Sequence, residues 1–372
     1  CTEQPWLNSN SSGPSLTQNV TINRRFYPYQ NIGIYLNEYL NKSQSTSNKT
    51  LTNKSTLIVC NNSILTIPAG GKVINAASIN PKDSIQIIVR DGSLLRVLGQ
   101  LEIGTNSKVI IEPGGTLILD PNSKVIINDN AKLICEKGSS FFASPNIEIQ
   151  LLGANSLMDI RCTNAVINCT TPGKQILFTN LNGNSQGGTA QFAGGNFIHG
   201  GNGKFIIENC IVRFLYDKNA QMIYTYSQNA DLQLQGNKAI LDLQGDLFIG
   251  NNAKFKFTWP GNNKHGYIKF SRQGWWGGNA VPHIIASKLG NCSFELIGYG
   301  YSDKMMEVAQ ETVYMPDDSK FLFTVKNSKI EFTVQQARLQ VPCDYEIQFS
   351  TFICPNLSTL VFPPRGLKHL VK

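Results

Sequence analysis

The chain has little charge, few histidines and no long apolar run. Only 16% of its 372 residues are Asp, Glu, Lys or Arg, below the usual quarter, while Gly, Asn, Ser and Thr are abundant. That balance favours a turn-rich β architecture over helices. No stretch is apolar for the eighteen or more residues that a membrane-spanning helix requires. The histidines are His199, His265, His283 and His369, and none stands beside Ser, Cys or Asp in a known catalytic motif, so the commonest general base is scarce. No two cysteines have CxxC spacing. Zinc and dithiol chemistry are therefore disfavoured, and no metal or other cofactor is expected. The net charge of +8 comes from scattered Lys and Arg, with no cluster beyond Arg24-Arg25 and the last few residues. Without a basic stripe or a recognisable module, no nucleic-acid partner is expected, and the charge serves solubility and attraction to acidic surfaces or glycans.

What the chain has is repetition. Residues 106 to 135, NSKVIIEPGGTLILDPNSKVIINDNAKLIC, contain Asn106-Ser107-Lys108-Val109-Ile110-Ile111 and its echo Asn122-Ser123-Lys124-Val125-Ile126-Ile127. The underlying period is eight. Leu101, Val109, Leu117, Val125, Leu133, Phe141, Ile149 and Leu157 are all apolar, and so are Ile103, Ile111, Leu119, Ile127, Cys135, Ala143 and Leu151, each two residues after one of the first seven. An apolar pair at i and i+2 faces one side of a strand. The connecting segments EPGGT, DPNSK and NDNAK carry the Gly, Pro, Asn and Asp of tight turns. Strand and turn without helix make an all-β solenoid, with three octads giving a coil of about 24 residues whose strands stack about 4.8 Å apart.

The reading divides the chain into a flexible tether (1–22), an N-terminal cap (23–55), the solenoid (56–258) and an aromatic-rich C-terminal part (259–372). The last is either a more irregular continuation of the coils or a second β domain. The pairs Leu232/Leu234, Leu241/Leu243, Leu247/Ile249 and Phe255/Phe257 extend the pattern. The glycine-rich LNGNSQGGTAQFAGGNFIHGGNGKF is expected to leave one corner as a loop.

The EPGGTLIL type of octad resembles the right-handed parallel β-helix family of large secreted bacterial surface proteins, most clearly over residues 101 to 157, and it carries no catalytic motif. Cys1 followed by TEQPWLNSNSSGPS resembles the mature start of a bacterial lipoprotein, in which the first cysteine carries acyl chains. That resemblance makes Cys1 a lipidation candidate and the only implied link to a membrane. The alternative is that Cys1 is simply the mature end left after removal of a signal peptide.

Candidate sites follow. Trp259, Tyr267, Trp275 and Trp276, with Tyr299 and Tyr301 beyond, offer aromatic faces for a sugar, or else plug the end of the coils. His199, in NFIHGGNGK, either lines a groove opened by glycines or is a surface-loop histidine. Ile110, Ile118, Ile126 and Ile134 are apolar mid-strand residues that should point outward and are candidates for self-association. Cys162 with Cys169, and Cys343 with Cys354, are spaced to close short disulfide loops, whereas Cys135 is expected to be a buried free thiol. Nine NxS/T sequons occur, and stacked Asn side chains at solenoid turns are structurally useful in themselves.

These features point to a non-catalytic structural or adhesive β-solenoid, extracellular or on the outer cell surface, that presents loops to a glycan or cell-surface partner. One alternative is a lyase or glycosidase of the parallel β-helix type acting on polysaccharides. It would need carboxylates converging in one groove, yet Asp83, Asp91, Asp120, Asp129 and Asp159 read mostly as turn residues. A subunit of an extracellular filament, built on the outward isoleucines and open solenoid ends, is the other.

Overall fold

The computed structural model describes residues 20–22, 50–53, 56–59, 64–67, 70, 72–75, 85–181, 186–217, 220–258, 265–271, 284–300, 302–310, 312–318, 320–354 and 357–362. The expected lipidation site Cys1, nearly all of the expected tether and cap, and Trp259, Trp275, Trp276 and Tyr301 lie outside them. Among the described residues there is no helix, and the chain forms a parallel β-solenoid. It divides into two compact units, Cys1–Ile167 with Leu177–Phe192, and Asn168–Ile176 with Ala193–Lys372.

In the first unit, successive strands wind through three ladders of parallel pairs. One runs Val20–Ile22, Thr50–Asn53, Lys72–Asn75, Gln100–Ile103, Lys124–Ile127, Ile147–Leu151. A second runs Thr56–Val59, Gln86–Val89, Lys108–Ile111, Lys132–Cys135, Leu157–Ile160, Thr189–Phe192, and a third runs Ile64–Ile67, Leu94–Val97, Thr116–Leu119, Ser140–Ala143. Lys108 lies opposite Lys132, and Val125 lies between Leu101 and Ile149, so three octads make one coil here. The apolar pairs form the interior: Leu101, Ile103, Val109, Ile111, Leu117, Leu119, Val125, Ile127, Leu133 and Cys135 are all 0% exposed. Each such aliphatic side chain contributes about 1.5–3 kcal/mol through burial, repeated coil after coil.

The turns explain why the period holds. Asn106, Gly114, Asn122, Asn130, Gly138 and Asn146, spaced at the octad interval, all have positive φ, the left-handed conformation that Gly and Asn tolerate best. Gly114, at φ 77°, turns the chain from one ladder to the next, and its amide donates to the Gly138 carbonyl at 2.9 Å. The Asn122 amide likewise donates to the Asn146 carbonyl at 2.7 Å, and the Asn146 side-chain amide donates to Asn122 Oδ1. Stacked turns thus replace hydrogen bonds that a helix or hairpin would otherwise provide.

Two expectations from the sequence fail, the first of them in this unit. Leu157 does not face inward. It pairs with Lys132 on the outer side, and Met158 and Ile160 take the interior positions, because the turn before them holds one extra residue. The glycine-rich segment is also mostly strand, forming Thr189–Phe192, Gly195–His199 and Lys204–Glu208. Its Gly188 allows a close approach, since a Cβ there would come within 2.0 Å of the Ser156 carbonyl oxygen.

The second unit keeps the parallel stacking on strands of more varied length. Ile211–Phe214, Ile240–Leu243, Tyr267–Ser271, Lys304–Ala309, Lys329–Phe332 and Thr351–Ile353 form one ladder, and Lys254–Thr258, Cys292–Ile297, Phe321–Lys326 and Asp344–Gln348 another. Strands on either side of residue 259 therefore belong to the same stack. The interior becomes aromatic: Phe255 stacks on Phe294 with centroids 4.8 Å apart, and Phe294 contacts Phe323. Leu232, Leu234, Leu241, Leu243, Leu247, Ile249, Phe255 and Phe257 are all buried, as their pairing in sequence requires.

The proposed disulfides do not form. Cys162, Cys169 and Cys343 are buried free thiols and Cys354 is an exposed one. Cys169 Sγ donates instead to the Lys204 carbonyl at 3.1 Å, and burial pushes the Cys169 thiol up to about 12 and the Cys162 thiol up to about 11. Cys135 is the buried free thiol that the octad pattern requires.

Candidate functional site

Charge in the second unit gathers on an outer face of the ladder that begins at Ile211–Phe214. Alternation along each strand turns Val212, Leu241, Ile268, Val308 and Ile330 inward. The residues beside them point out, and the register stacks Arg213 on Asp242, Asp242 on Lys269, Lys269 on Glu307 and Glu307 on Glu331. Neighbouring positions in such a column are about 4.8 Å apart.

Two clusters result. Arg213 Nε donates to Asp242 Oδ2 at 2.7 Å, Ser271 Oγ donates to Asp242 Oδ1, and Gln244 Nε2 donates to Ser271 Oγ at 3.3 Å. The Asp242 side chain is only 3% exposed. Gln244 is also buried, and its Oε1 has no partner. In the second cluster Lys269 Nζ meets Glu307 Oε1 at 3.0 Å, Lys304 Nζ meets Glu307 Oε2 and also Glu331 Oε2 at 3.1 Å, and Thr333 Oγ1 donates to Glu307 Oε1 at 3.2 Å. Lys304 Nζ also lies 4.1 Å from the centroid of the Tyr267 ring, a cation–π contact.

The electrostatics follow from these contacts. Burial pushes the Glu307 carboxyl up, but the lysines outweigh it and hold the group below its ordinary value. Burial beside Glu307 raises the Tyr267 hydroxyl, and Lys304 is raised because its carboxylate partners outweigh its own burial. A general acid needs a carboxyl kept protonated near neutral pH. Glu307 is driven the other way. Lys269 also stands between Asp242 and Glu307 in the column, which sets these carboxylates two strand rows, about 10 Å, apart. Among the described residues no group of three or more His, Cys, Asp or Glu is placed to hold a metal ion.

The aromatic candidates are reduced to Tyr267, half-buried under Lys304, and Tyr299, which is 68% exposed on a turn. His199 is neither in a loop nor in a groove. It ends the strand Gly195–His199, is 0% exposed, and sits among Phe197, Phe205, Tyr224 and Tyr226. The Gly203 carbonyl, 3.0 Å from Nε2, can only accept, so Nε2 carries the proton and Nδ1 accepts from the Tyr224 hydroxyl at 2.8 Å. Burial lowers the His199 pKa to about 4. This histidine pins the interior.

The outward isoleucines all face solvent in part, but not together. Ile110 and Ile134 share one ladder, Ile118 is beside Phe142 in the next, and Ile126 is isolated between Glu102 and Gln150. The first unit also has an open cleft of about 390 Å³ lined by Asn130, Lys132, Asn155, Ser156 and Thr189 among others.

The charged column was invisible to sequence reading, which placed carboxylates at turns. Each of Asp242, Lys269 and Glu307 does lie between two inward apolar residues, and that is its signal. The coil lengths separating them vary, so periodicity alone does not align them. No family model, curated protein or solved structure matches the chain.

Proposed function

We propose that the chain is a non-catalytic structural or adhesive β-solenoid of the outer cell surface or extracellular space, presenting its faces and loops to a glycan or cell-surface partner. The observation that carries this reading is how the outward carboxylates are used. Asp120, Glu148, Asp242, Glu307 and Glu346 each meet a cation on a neighbouring coil, Arg96, Lys124, Arg213, Lys269 and Lys326 respectively. Such charges bind coil to coil and leave binding to the repeated surface, where many weak contacts add up. Acyl chains on Cys1 would anchor the scaffold to a membrane.

The enzymatic alternative, action on a polysaccharide, is favoured by one feature, the buried Asp242–Ser271–Gln244 group with an unpartnered acceptor. Location tests the main reading. Antibody raised against the chain should label intact source cells or their surrounding matrix as strongly as permeabilised cells, and labelling that appears only on permeabilisation would overturn it.

A further inference from the structure

One outer face of the first unit stacks like charges on neighbouring coils. Residues 108–112 read Lys-Val-Ile-Ile-Glu and residues 132–136 read Lys-Leu-Ile-Cys-Glu. Val109, Ile111, Leu133 and Cys135 are buried, so both segments present Lys, Ile and Glu outward in that order. Lys108 lies beside Lys132 and Ile110 beside Ile134. The ladder continues past the strands, Glu112 N donating to the Val89 carbonyl at 2.8 Å and Glu136 N to the Ile111 carbonyl at 2.9 Å, which stacks Glu112 on Glu136. All six outward side chains are partly exposed. Ile88 extends the apolar column on one side. On the other it ends at Asp159, which Arg161 and Gln191 hold.

Like charges about 4.8 Å apart on neighbouring strands repel. Arg90 relieves Glu112 in part, at 3.5 Å, and Arg161 attracts Glu136, while neither Lys108 nor Lys132 enters an ion pair among the described residues. The result is a basic column and an acidic column on either side of an apolar one. A second copy laid on this face by a half-turn about an axis along the stack of coils sets Lys over Glu in both rows. The same operation brings Ile110 over Ile110 and Ile134 over Ile134. A half-turn about the strand direction would set Lys over Lys instead.

We propose that this face is a homodimer interface in which two copies are related by a twofold axis parallel to the coil stack, an isologous contact specified by its own charge pattern. It goes beyond the surface role and does not depend on it. Three rows of three columns cover roughly 300 Å² per partner, well under half a standard interface. The association is therefore weak and depends on concentration.

Sedimentation velocity on the full chain tests it. The wild type should dimerise at sub-millimolar concentration. The variants Lys108→Glu/Lys132→Glu and Glu112→Lys/Glu136→Lys should each need concentrations higher by about tenfold or more, and their equimolar mixture should recover dimer. Ile110→Cys in a Cys354→Ser background, which keeps the charges, should form a dimer under oxidation that peptide mapping shows to be disulfide-linked through residue 110 of both copies. A wild type that stays monomeric, double variants that dimerise like the wild type, a mixture of folded variants that stays monomeric, or an Ile110→Cys chain that does not cross-link would each overturn the proposal.

Discussion

Replacing Arg213 with Ala is expected to destabilise the protein by about 3 kcal/mol, near the lower end of the cost of breaking a buried ion pair. The carboxylate left behind is the reason. The Asp242 side chain is 3% exposed and would keep Ser271 as a donor while losing the guanidinium at 2.7 Å. Lys269, next in the column, is committed to Glu307 at 3.0 Å, so it compensates only in part. The converse change should be milder: in Asp242→Ala the Arg213 side chain, already 32% exposed, can turn to water and retain its hydration. Chemical unfolding of both variants measures the asymmetry. Equal losses would mean that Asp242 is not desolvated as its position implies, and a stabilised Arg213→Ala variant would remove the column from any structural role.

Acidification from pH 7 to pH 4 is expected to cost about 3 kcal/mol through His199 alone, because a pKa lowered from 6.5 to about 4 corresponds to that much free energy. The folded state disfavours the charged imidazole. The unfolded chain binds its proton first, and stability that is complete above about pH 6.5 falls progressively down to the folded value. Glu307, held below its ordinary value by Lys269 and Lys304, acts in the same direction in a lower window, as its unfolded form takes up a proton. His199→Gln separates the two contributions. A glutamine amide can still donate to the Gly203 carbonyl and accept from the Tyr224 hydroxyl without titrating, so the variant should flatten the upper window and leave the lower one. Stability measured between pH 7 and pH 5 that falls equally in both proteins would show that another group is responsible.

The octads were legible because everything that defines them is local. Leu117 and Leu119 declare an inward face two residues apart, and Gly114 and Asn122 mark left-handed turns on either side, all within one strand and its connections. Cys135 followed from the same alternation. Leu157 misled because one additional residue in the preceding turn reverses inside and outside for a whole strand, a shift that a fixed period cannot register. Beyond it the coils lengthen: Leu157 pairs with Thr189, and Ile268 with Met306. Which charged residue lies over which then depends on turn lengths that composition does not specify, so the Arg213 to Glu331 column emerged only in three dimensions. His199 was misjudged for a related reason. Its glycine neighbours suggested a loop, yet Gly200, Gly201 and Gly203 instead let the turn after His199 pack closely against Ser227, Thr170 and Cys169. The disulfides failed because short spacing in sequence does not direct two side chains toward one another. Cys343 is buried while Cys354 is exposed.

Charge and repetition in this chain are thus explained mainly by coil stacking, and the decisive contrast is between holding a polymer and cutting it. The most direct measurement incubates the intact protein with a panel of neutral and acidic polysaccharides and reads both the fraction retained and the length distribution of the polymer. Retention of at least one polysaccharide with no change in length is the expected result. Progressive shortening by the wild type that disappears in Glu307→Gln or Asp242→Asn, with both variants still folded, would contradict it and make the charged column an active site.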